Sequence, residues 1–212
     1  MTSFQVFNTL FNINTSNNLF YYSTNGGTIW KTLTLNPGAY EIDDINTEIQ
    51  RQMVINGDYT IGASGNTFSI TIAPNLNLGK TQITLLNNYQ VDFTKPNNFS
   101  TLLGYTSRVL SAAYNLSDNI SQIRSNNSIY INTNLTNGIL INNRFRNVIY
   151  STSAFLVPPG YNILMIPNPP RYYPLIVNRI ADYRVFITDE NGNPLNFNGE
   201  TIEVQFHIRR TS

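Results

Sequence analysis

Catalytic side chains are scarce in this sequence, and its one imidazole, His207, is the first to consider. A serine–histidine–aspartate triad would need this histidine as its base. His207 stands between Phe206 and Ile208 in a strand-like stretch, and no G-x-S-x-G motif surrounds any serine. We therefore interpret His207 as an exposed structural residue, and we predict that the chain is not an enzyme.

A second candidate for chemistry is the polar stretch that starts at Asp189. Counted from Asp189 as position 1, Asn191, Asn193 and Glu200 stand at positions 3, 5 and 12 of an EF-hand-like calcium loop. Such a loop requires glycine at position 6, where this chain has Pro194, and it lies between helices, whereas the flanking pattern here is that of strands. We predict a hairpin turn between the two flanking strands.

The remaining ways to build a reactive centre are also missing. The chain has no cysteine and one histidine, which excludes disulfides, thiolate sites and a zinc site of several histidines. Asp43 and Asp44 are adjacent, so on a helix they point in different directions and fit a helix cap better than an acid/base pair. No glycine-rich phosphate loop is present. We predict no catalytic, cofactor-binding or metal-binding residue and no cofactor.

Charge gives little support for a nucleic-acid partner. The formal net charge is +1, so no overall field draws the chain to a polyanion. After residue 106, however, the sequence has nine basic and six acidic residues. The arginines that could meet a nucleic-acid backbone are Arg144, Arg146, Arg171, Arg209 and Arg210. Solvation, or pairing with neighbouring chains, is the interpretation that we favour for them.

No apolar run approaches the roughly 20 residues that span a bilayer. The first residues also lack the basic region and apolar core of a signal peptide. We therefore expect a soluble protein that is made in a cytosol and has no membrane partner.

The elements that position these residues follow a period of two. In residues 67–72 and 200–209, apolar and polar side chains alternate, which is typical of antiparallel strands with one buried face. Weaker alternation predicts strands at 4–11, 19–23, 28–35, 82–93, 128–132, 138–142, 147–155, 161–166 and 183–188. Glycine- and asparagine-rich turns separate them. About ten short strands indicate an all-β sandwich or barrel.

One segment has a helical period instead. Ile45, Ile49 and Met53 recur at four-residue steps, acidic residues precede them, and Gly57 can end the element. This pattern predicts one α-helix at about 43–55, packed on a sheet. A shorter helical turn is predicted at 98–103. No linker or internal repeat is visible, so we predict one domain over residues 1–212.

The surface composition favours contacts with other chains. Charged residues make up 12% of the chain, whereas it has 33 Asn, 13 Tyr and 12 Phe, and its arginines outnumber its lysines by ten to three. Interfaces are depleted in Lys and Glu and enriched in Tyr, Phe and Arg. This balance fits a subunit that buries much of its surface, and it also fits a sugar-binding jelly roll.

Four stretches together resemble small capsid proteins, penton-like or minor, of Polinton (Maverick)-like elements and related double-stranded DNA viruses. They are FYYS continuing to GGTIW at 20–30, PGAYEIDDIN at 37–46, LLGY at 102–105, and ITDENG continuing to GETI at 187–202. The resemblance implies an antiparallel sandwich of the single jelly-roll type, with the helix inserted. Because these motifs are turn and strand signatures, they carry no functional residues.

The resemblance implies a viral structural protein that assembles with itself through lateral faces of the sandwich, as a pentamer rather than a trimer, and with other capsid proteins. The chain would then be located in the virion after synthesis in the host cytoplasm. The alternative is a receptor- or carbohydrate-binding head domain such as a trimeric fibre knob, because such heads share the fold class.

Overall fold

The computed structural model describes residues 1–63, 65–123, 128–141, 144–154 and 157–209. Over these residues it contains one α-helix and seventeen short β-strands, and all paired strands are antiparallel. The predicted class, an all-β fold of antiparallel sheets with one inserted helix, is confirmed. Within the described ranges, no helix is long and apolar enough to cross a membrane.

In chain order the elements are β1 (Ser3–Phe7), β2 (Leu19–Ser23), β3 (Lys31–Thr34), α1 (Ile42–Ile55), β4 (Thr60–Gly62), β5 (Gly65–Thr67), β6 (Ile70–Asn75), β7 (Lys80–Leu85), β8 (Gln90–Asp92), β9 (Val109–Leu110), β10 (Tyr114–Leu116), β11 (Ser128–Thr133), β12 (Ile139–Ile141), β13 (Arg144–Arg146), β14 (Val148–Ser153), β15 (Asn162–Met165), β16 (Val185–Thr188) and β17 (Glu203–Gln205).

The chain divides into two compact units. We call residues 11–125 the central unit, and residues 1–10 together with 126–212 the terminal unit. Each unit has a hydrophobic core of its own. The single jelly-roll domain over residues 1–212 stays a prediction.

The central unit contains two main sheets, in the strand orders β3-β2-β8-β9 and β10-β7-β6, and the separate pair β4-β5. Inward side chains of both sheets meet one face of helix α1 in the core. Phe20 is completely buried there, and its ring centroid lies 6.3 Å from that of Phe93 and 5.7 Å from that of Phe99. Aromatic pairs at these separations contribute more than their buried area alone.

Helix α1 forms where the sequence predicts it and begins one residue earlier. Its buried side chains recur at three- and four-residue steps and are Ile42, Ile45, Ile49 and Met53. The Asp44 carboxylate accepts the backbone N–H of Glu41 at 2.9 Å, so this aspartate does act as a helix cap. At the other end, Gly57 has a φ of +73° and its N–H donates to the carbonyl of Val54 at 3.1 Å.

The terminal unit contains two three-stranded sheets, in the orders β15-β1-β17 and β14-β11-β16, and the pair β12-β13. Alternate side chains of both sheets point into one core, as in a sandwich. Its buried apolar side chains are Phe4, Val6, Ile129, Ile131, Ile149, Ala154, Ile163, Ile187 and Phe197. Strand β15, which lies between two proline-rich stretches, is at the edge of its sheet.

Several predicted strands differ from the structure. The stretch 67–72 is divided between β5, which ends at Thr67, and β6, which begins at Ile70, and the stretch 4–11 is a strand only as far as Phe7. The stretch 82–93 is divided between β7 and β8, because Asn87 and Asn88 adopt φ values of +52° and +60° and turn the chain. Asparagine tolerates this left-handed conformation better than most residues do.

The predicted turn at 98–103 is present. The N–H of Leu103 donates to the carbonyl of Phe99 at 3.3 Å, and Gly104 has a φ of +82°.

The last predicted strand, 200–209, is paired only over β17. Val204 and Phe206 pack against the core of the terminal unit, as the alternation predicts. Ile202 and Ile208, which we also expected to face inward, are 40% and 52% exposed. Strand β17 pairs with β1 only from Glu203 to Gln205, so Ile202 and Ile208 lie beyond the paired stretch.

Candidate functional site: apolar patches and an aromatic cavity

The stretch after Asp189 is a turn, and the Asp189 carboxylate stabilises that turn. The carboxylate accepts the N–H groups of Asn191 and Asn193 at 2.8 Å each and the Asn193 amide at 2.9 Å. Burial alone would raise the pKa of Asp189, but these hydrogen bonds outweigh burial and lower it. The predicted hairpin between residues 183–188 and 200–209 is wrong, because β16 pairs with β11 and β17 pairs with β1. After the turn, the chain returns only briefly beside β16, where the Leu195 N–H donates to the Ile187 carbonyl at 3.0 Å.

Clusters of three or more metal-binding side chains are absent from the described residues. His207 is exposed, as predicted, and lies just beyond β17 rather than inside a strand. Its Nδ1 atom is 2.8 Å from the hydroxyl of Tyr172, and the two rings meet edge to face with centroids 5.9 Å apart. This contact places His207 in the wall of a cavity.

The cavity belongs to the terminal unit and has a volume of about 300 Å³. We call it the aromatic cavity. The rings and charged groups in its wall are Arg171, Tyr172, Tyr173, Tyr183, Phe206, His207 and Arg209. The guanidinium of Arg209 lies 4.1 Å from the Tyr172 ring centroid, and the Tyr183 and Phe206 rings meet edge to face at 6.3 Å. These ring–ring and cation–ring contacts stabilise the wall of the cavity.

Of the arginines singled out in the sequence, the structure describes the side chains of Arg146, Arg171 and Arg209, and each has a contact within the terminal unit. Arg146 donates to the backbone carbonyl of Glu190 at 2.9 Å, so it serves the turn after β16. Arg171 lies 6.0 Å from the Tyr150 ring centroid, and Arg209 stacks on Tyr172. The side chain of Arg144 and all of Arg210 lie outside the described part of the chain.

An exposed apolar run lies in the long connection between β15 and β16. Residues 166–184 contain no helix or strand. Within them, residues 175–180, which we call the apolar segment, have four exposed aliphatic side chains: Leu175 (39%), Ile176 (51%), Val177 (36%) and Ile180 (39%). The backbone there is anchored, because the Ile176 N–H donates to the Leu135 carbonyl at 2.9 Å. Long irregular connections with exposed apolar residues mark functional surfaces.

The β12-β13 pair carries a second exposed patch in the same unit. Leu140 and Phe145 are direct cross-strand partners. Their exposed fractions are 58% and 78%, so the two side chains form one apolar patch. We call it the β12–β13 patch. An exposed apolar pair on a short two-stranded element gains stability when another surface covers it.

Sequence reasoning missed the aromatic cavity and both apolar patches. One signal was available for the segment: the run Leu175-Ile176-Val177 has no polar residue between its members, which breaks the alternation of a half-buried strand. The cavity has a weaker signal, the Arg171-Tyr172-Tyr173 triplet. Nothing local in the sequence joins that triplet to His207.

No protein-family model matches this sequence. No curated protein matches it either. Among solved structures, the chain is similar to the crystal structure of the mavirus penton protein, with a TM-score of 0.42 and 14% sequence identity. The similarity covers 92% of this chain and 81% of the penton protein.

Proposed function

We propose that this chain is a capsid-type structural protein, penton-like or minor, that assembles with copies of itself. The observation that carries the proposal is the anchored apolar segment, with four exposed aliphatic side chains in six residues. Contiguous exposed apolar surface of this kind marks a site of protein association. The sequence motifs that resemble capsid proteins of Polinton-like elements support the same role.

The apolar segment and the β12–β13 patch are two different surfaces, as a closed ring of subunits requires. Around a rotation axis of order three or higher, each copy contacts its neighbours through two distinct surfaces. The apolar segment and the β12–β13 patch are two such surfaces on the terminal unit. In this proposal the segment of one subunit covers Leu140 and Phe145 of the next. A pentamer is preferred to a trimer because it is the form that the penton-like resemblance implies.

The charge of the chain favours another copy as the partner. With a formal net charge of +1, copies repel one another little. The apolar segment contains one charged residue, Arg179, and its desolvation therefore costs less than that of a lysine- and glutamate-rich surface. Contacts with other capsid proteins, a jelly-roll domain, location in the virion, synthesis in a host cytoplasm and the absence of enzymatic activity belong to the same proposal.

The direct test introduces a carboxylate into each patch. Ile176→Asp and Phe145→Asp are measured separately by sedimentation velocity at micromolar concentration, beside the wild-type chain. We expect an oligomer for the wild type and monomers for both variants, because each carboxylate would be buried without a partner. Leu76→Asp is the matched control, since Leu76 is 85% exposed in the turn between β6 and β7, and it should leave the oligomer intact.

Thermal unfolding of all four proteins separates assembly from folding. Both patches are exposed in the single chain, so the monomeric variants should unfold cooperatively and retain their far-ultraviolet circular dichroism. Folded variants that sediment like the wild-type oligomer would contradict the proposed interface. A monomeric wild type would contradict self-assembly altogether.

The second candidate function is a receptor- or carbohydrate-binding head. The aromatic cavity favours the receptor-binding form of this function, because concave sites lined by rings with a few polar groups are the usual form of ligand sites. A trimeric mass in solution together with binding to the surface of host cells would support this function over the capsid role.

A further inference from the structure

The aromatic cavity combines positive charge with apolar walls. Among its described lining residues, the charged side chains are Arg171 and Arg209, and there is no aspartate, glutamate, asparagine or glutamine. This composition is notable in a chain with 33 asparagines. Sites for neutral sugars need amides and carboxylates to bond many hydroxyl groups, and this wall lacks both.

Arg209 lies against the ring of Tyr172 in the cavity wall. Its guanidinium carbon is 4.1 Å from the Tyr172 ring centroid, and the guanidinium carries five N–H donors. Tyr172 is itself held, because its hydroxyl is 2.8 Å from His207 Nδ1. Within the described residues, no carboxylate lies within ion-pair distance of Arg171 or Arg209. Two cations therefore border the cavity without a described acidic partner.

The rest of the wall accepts an apolar group. Leu175, Val204 and Phe206 line it, and Tyr183 meets Phe206 edge to face. A volume of about 300 Å³ is at the lower end of the range for small-molecule sites. A compact ligand or one terminal residue of a peptide fits this space.

We propose that the aromatic cavity binds an organic carboxylate attached to an apolar body, with the carboxylate at Arg171 and Arg209 and the body against Phe206 and Tyr183. Arginine binds carboxylates through paired N–H donors, and both Arg171 and Arg209 carry such donors. Two sources share this chemistry: a free apolar carboxylic acid, and the C-terminus of a peptide that ends in an apolar residue. The inference does not depend on the capsid role.

Calorimetric titration of the full chain tests the proposal with matched pairs of probes. Phenylacetate is compared with 2-phenylethanol, which is similar in shape but neutral. The peptide Ac-Ala-Ala-Phe with a free carboxylate is compared with its C-terminal amide. We expect each acid to bind at least about tenfold more tightly than its neutral partner, because a charge-assisted bond is lost in the latter. The acid that binds more tightly shows whether the ligand is a free carboxylic acid or a peptide C-terminus.

Variants then locate the site. Arg209→Gln should weaken binding of the preferred acid by roughly tenfold, and Arg171→Gln should weaken it in the same direction. Arg184→Gln is the control, because Arg184 pairs with Asp182 at 3.6 Å, does not line the cavity, and should leave binding unchanged. Thermal unfolding checks that each variant is folded.

Three results would overturn the proposal. They are equal binding of acid and neutral partner, wild-type affinity in folded Arg209→Gln, and no binding of either acid up to its solubility limit. Tighter binding of N-acetylneuraminate than of phenylacetate would also overturn it, because a hydroxyl-rich ligand would then be preferred to an apolar one.

Discussion

The side-chain oxygen of Asn46, on helix α1, accepts the backbone N–H of Ile72, on strand β6, at 2.8 Å. Strand β6 is at the edge of its sheet, so this N–H has no partner strand on that side. One helical turn later, the Gln50 amide reaches the Ile70 carbonyl at 3.4 Å. The helix therefore covers the edge of the sheet with polar side chains while its apolar face packs on the core, which protects an edge that could otherwise pair with another chain.

Asn46→Ala should lower the free energy of unfolding by about 1–3 kcal/mol, because the Ile72 N–H would lose its acceptor. Asn46→Asp retains a side-chain oxygen and should cost less. Urea denaturation measures both. Thr47→Ala is the control at the next position, where the side chain is exposed, and it should change the free energy by less than about 0.5 kcal/mol. Equal losses in Asn46→Ala and Thr47→Ala would show that the bond to Ile72 contributes nothing.

Ile49→Ala should cost about 2–4 kcal/mol, because the Ile49 side chain is completely buried on helix α1 and its removal leaves a cavity. Ile55, at the end of the same helix, is 71% exposed. Ile55→Ala should therefore be close to neutral. A similar loss of stability in both variants would contradict the claim that burial of the Ile49 side chain is what stabilises this helix.

The strands and the helix were predictable because their side-chain periods are local. Strand β2 matches its predicted bounds, 19–23, since Phe20 and Tyr22 alternate with outward residues. The same logic located Ile45, Ile49 and Met53 on the buried face of α1. It failed at Asn87 and Asn88, because an alternating pattern does not show where two consecutive asparagines adopt positive φ.

The candidate site was not predictable in the same way. The aromatic cavity depends on contacts such as Tyr172 with His207, whose positions are 35 residues apart. No short-range period connects these residues, and the connection at 166–184 has no regular structure from which to infer its path. The apolar segment is visible in the sequence as a run of aliphatic residues, but a run alone does not distinguish a buried strand from an exposed one.

Stability should fall in acid through Asp118. Its carboxylate accepts the backbone N–H and the hydroxyl of Thr106, at 2.8 Å each, and a bond from Arg108. Led by the backbone bond, and despite an opposing effect of burial, these contacts lower the pKa of Asp118 to about 2. Because the folded pKa lies below the unfolded value, the contribution is complete above about pH 4 and is lost as the pH falls toward 2.

Unfolding of the wild type and Asp118→Asn between pH 2 and pH 6 tests this directly. The difference in stability should be smallest near pH 2, grow up to about pH 4 and stay level above it. Asp182→Asn is the control and should change the stability little at pH 6, since Asp182 and its partner Arg184 are both exposed in an ion pair of 3.6 Å. A pH-independent difference for Asp118→Asn would contradict the lowered pKa.

The central claim, self-assembly through apolar surface, is tested most directly by the mass of the wild-type chain at two ionic strengths. Sedimentation equilibrium at micromolar concentration is run in low salt and in about 1 M salt, where exposed charges are screened over roughly 3 Å. Apolar contacts predict the same oligomer in both buffers, a pentamer in the penton-like arrangement. A monomer in both buffers would contradict self-assembly, and dissociation only in high salt would show that arginine contacts, not the apolar patches, hold the copies together.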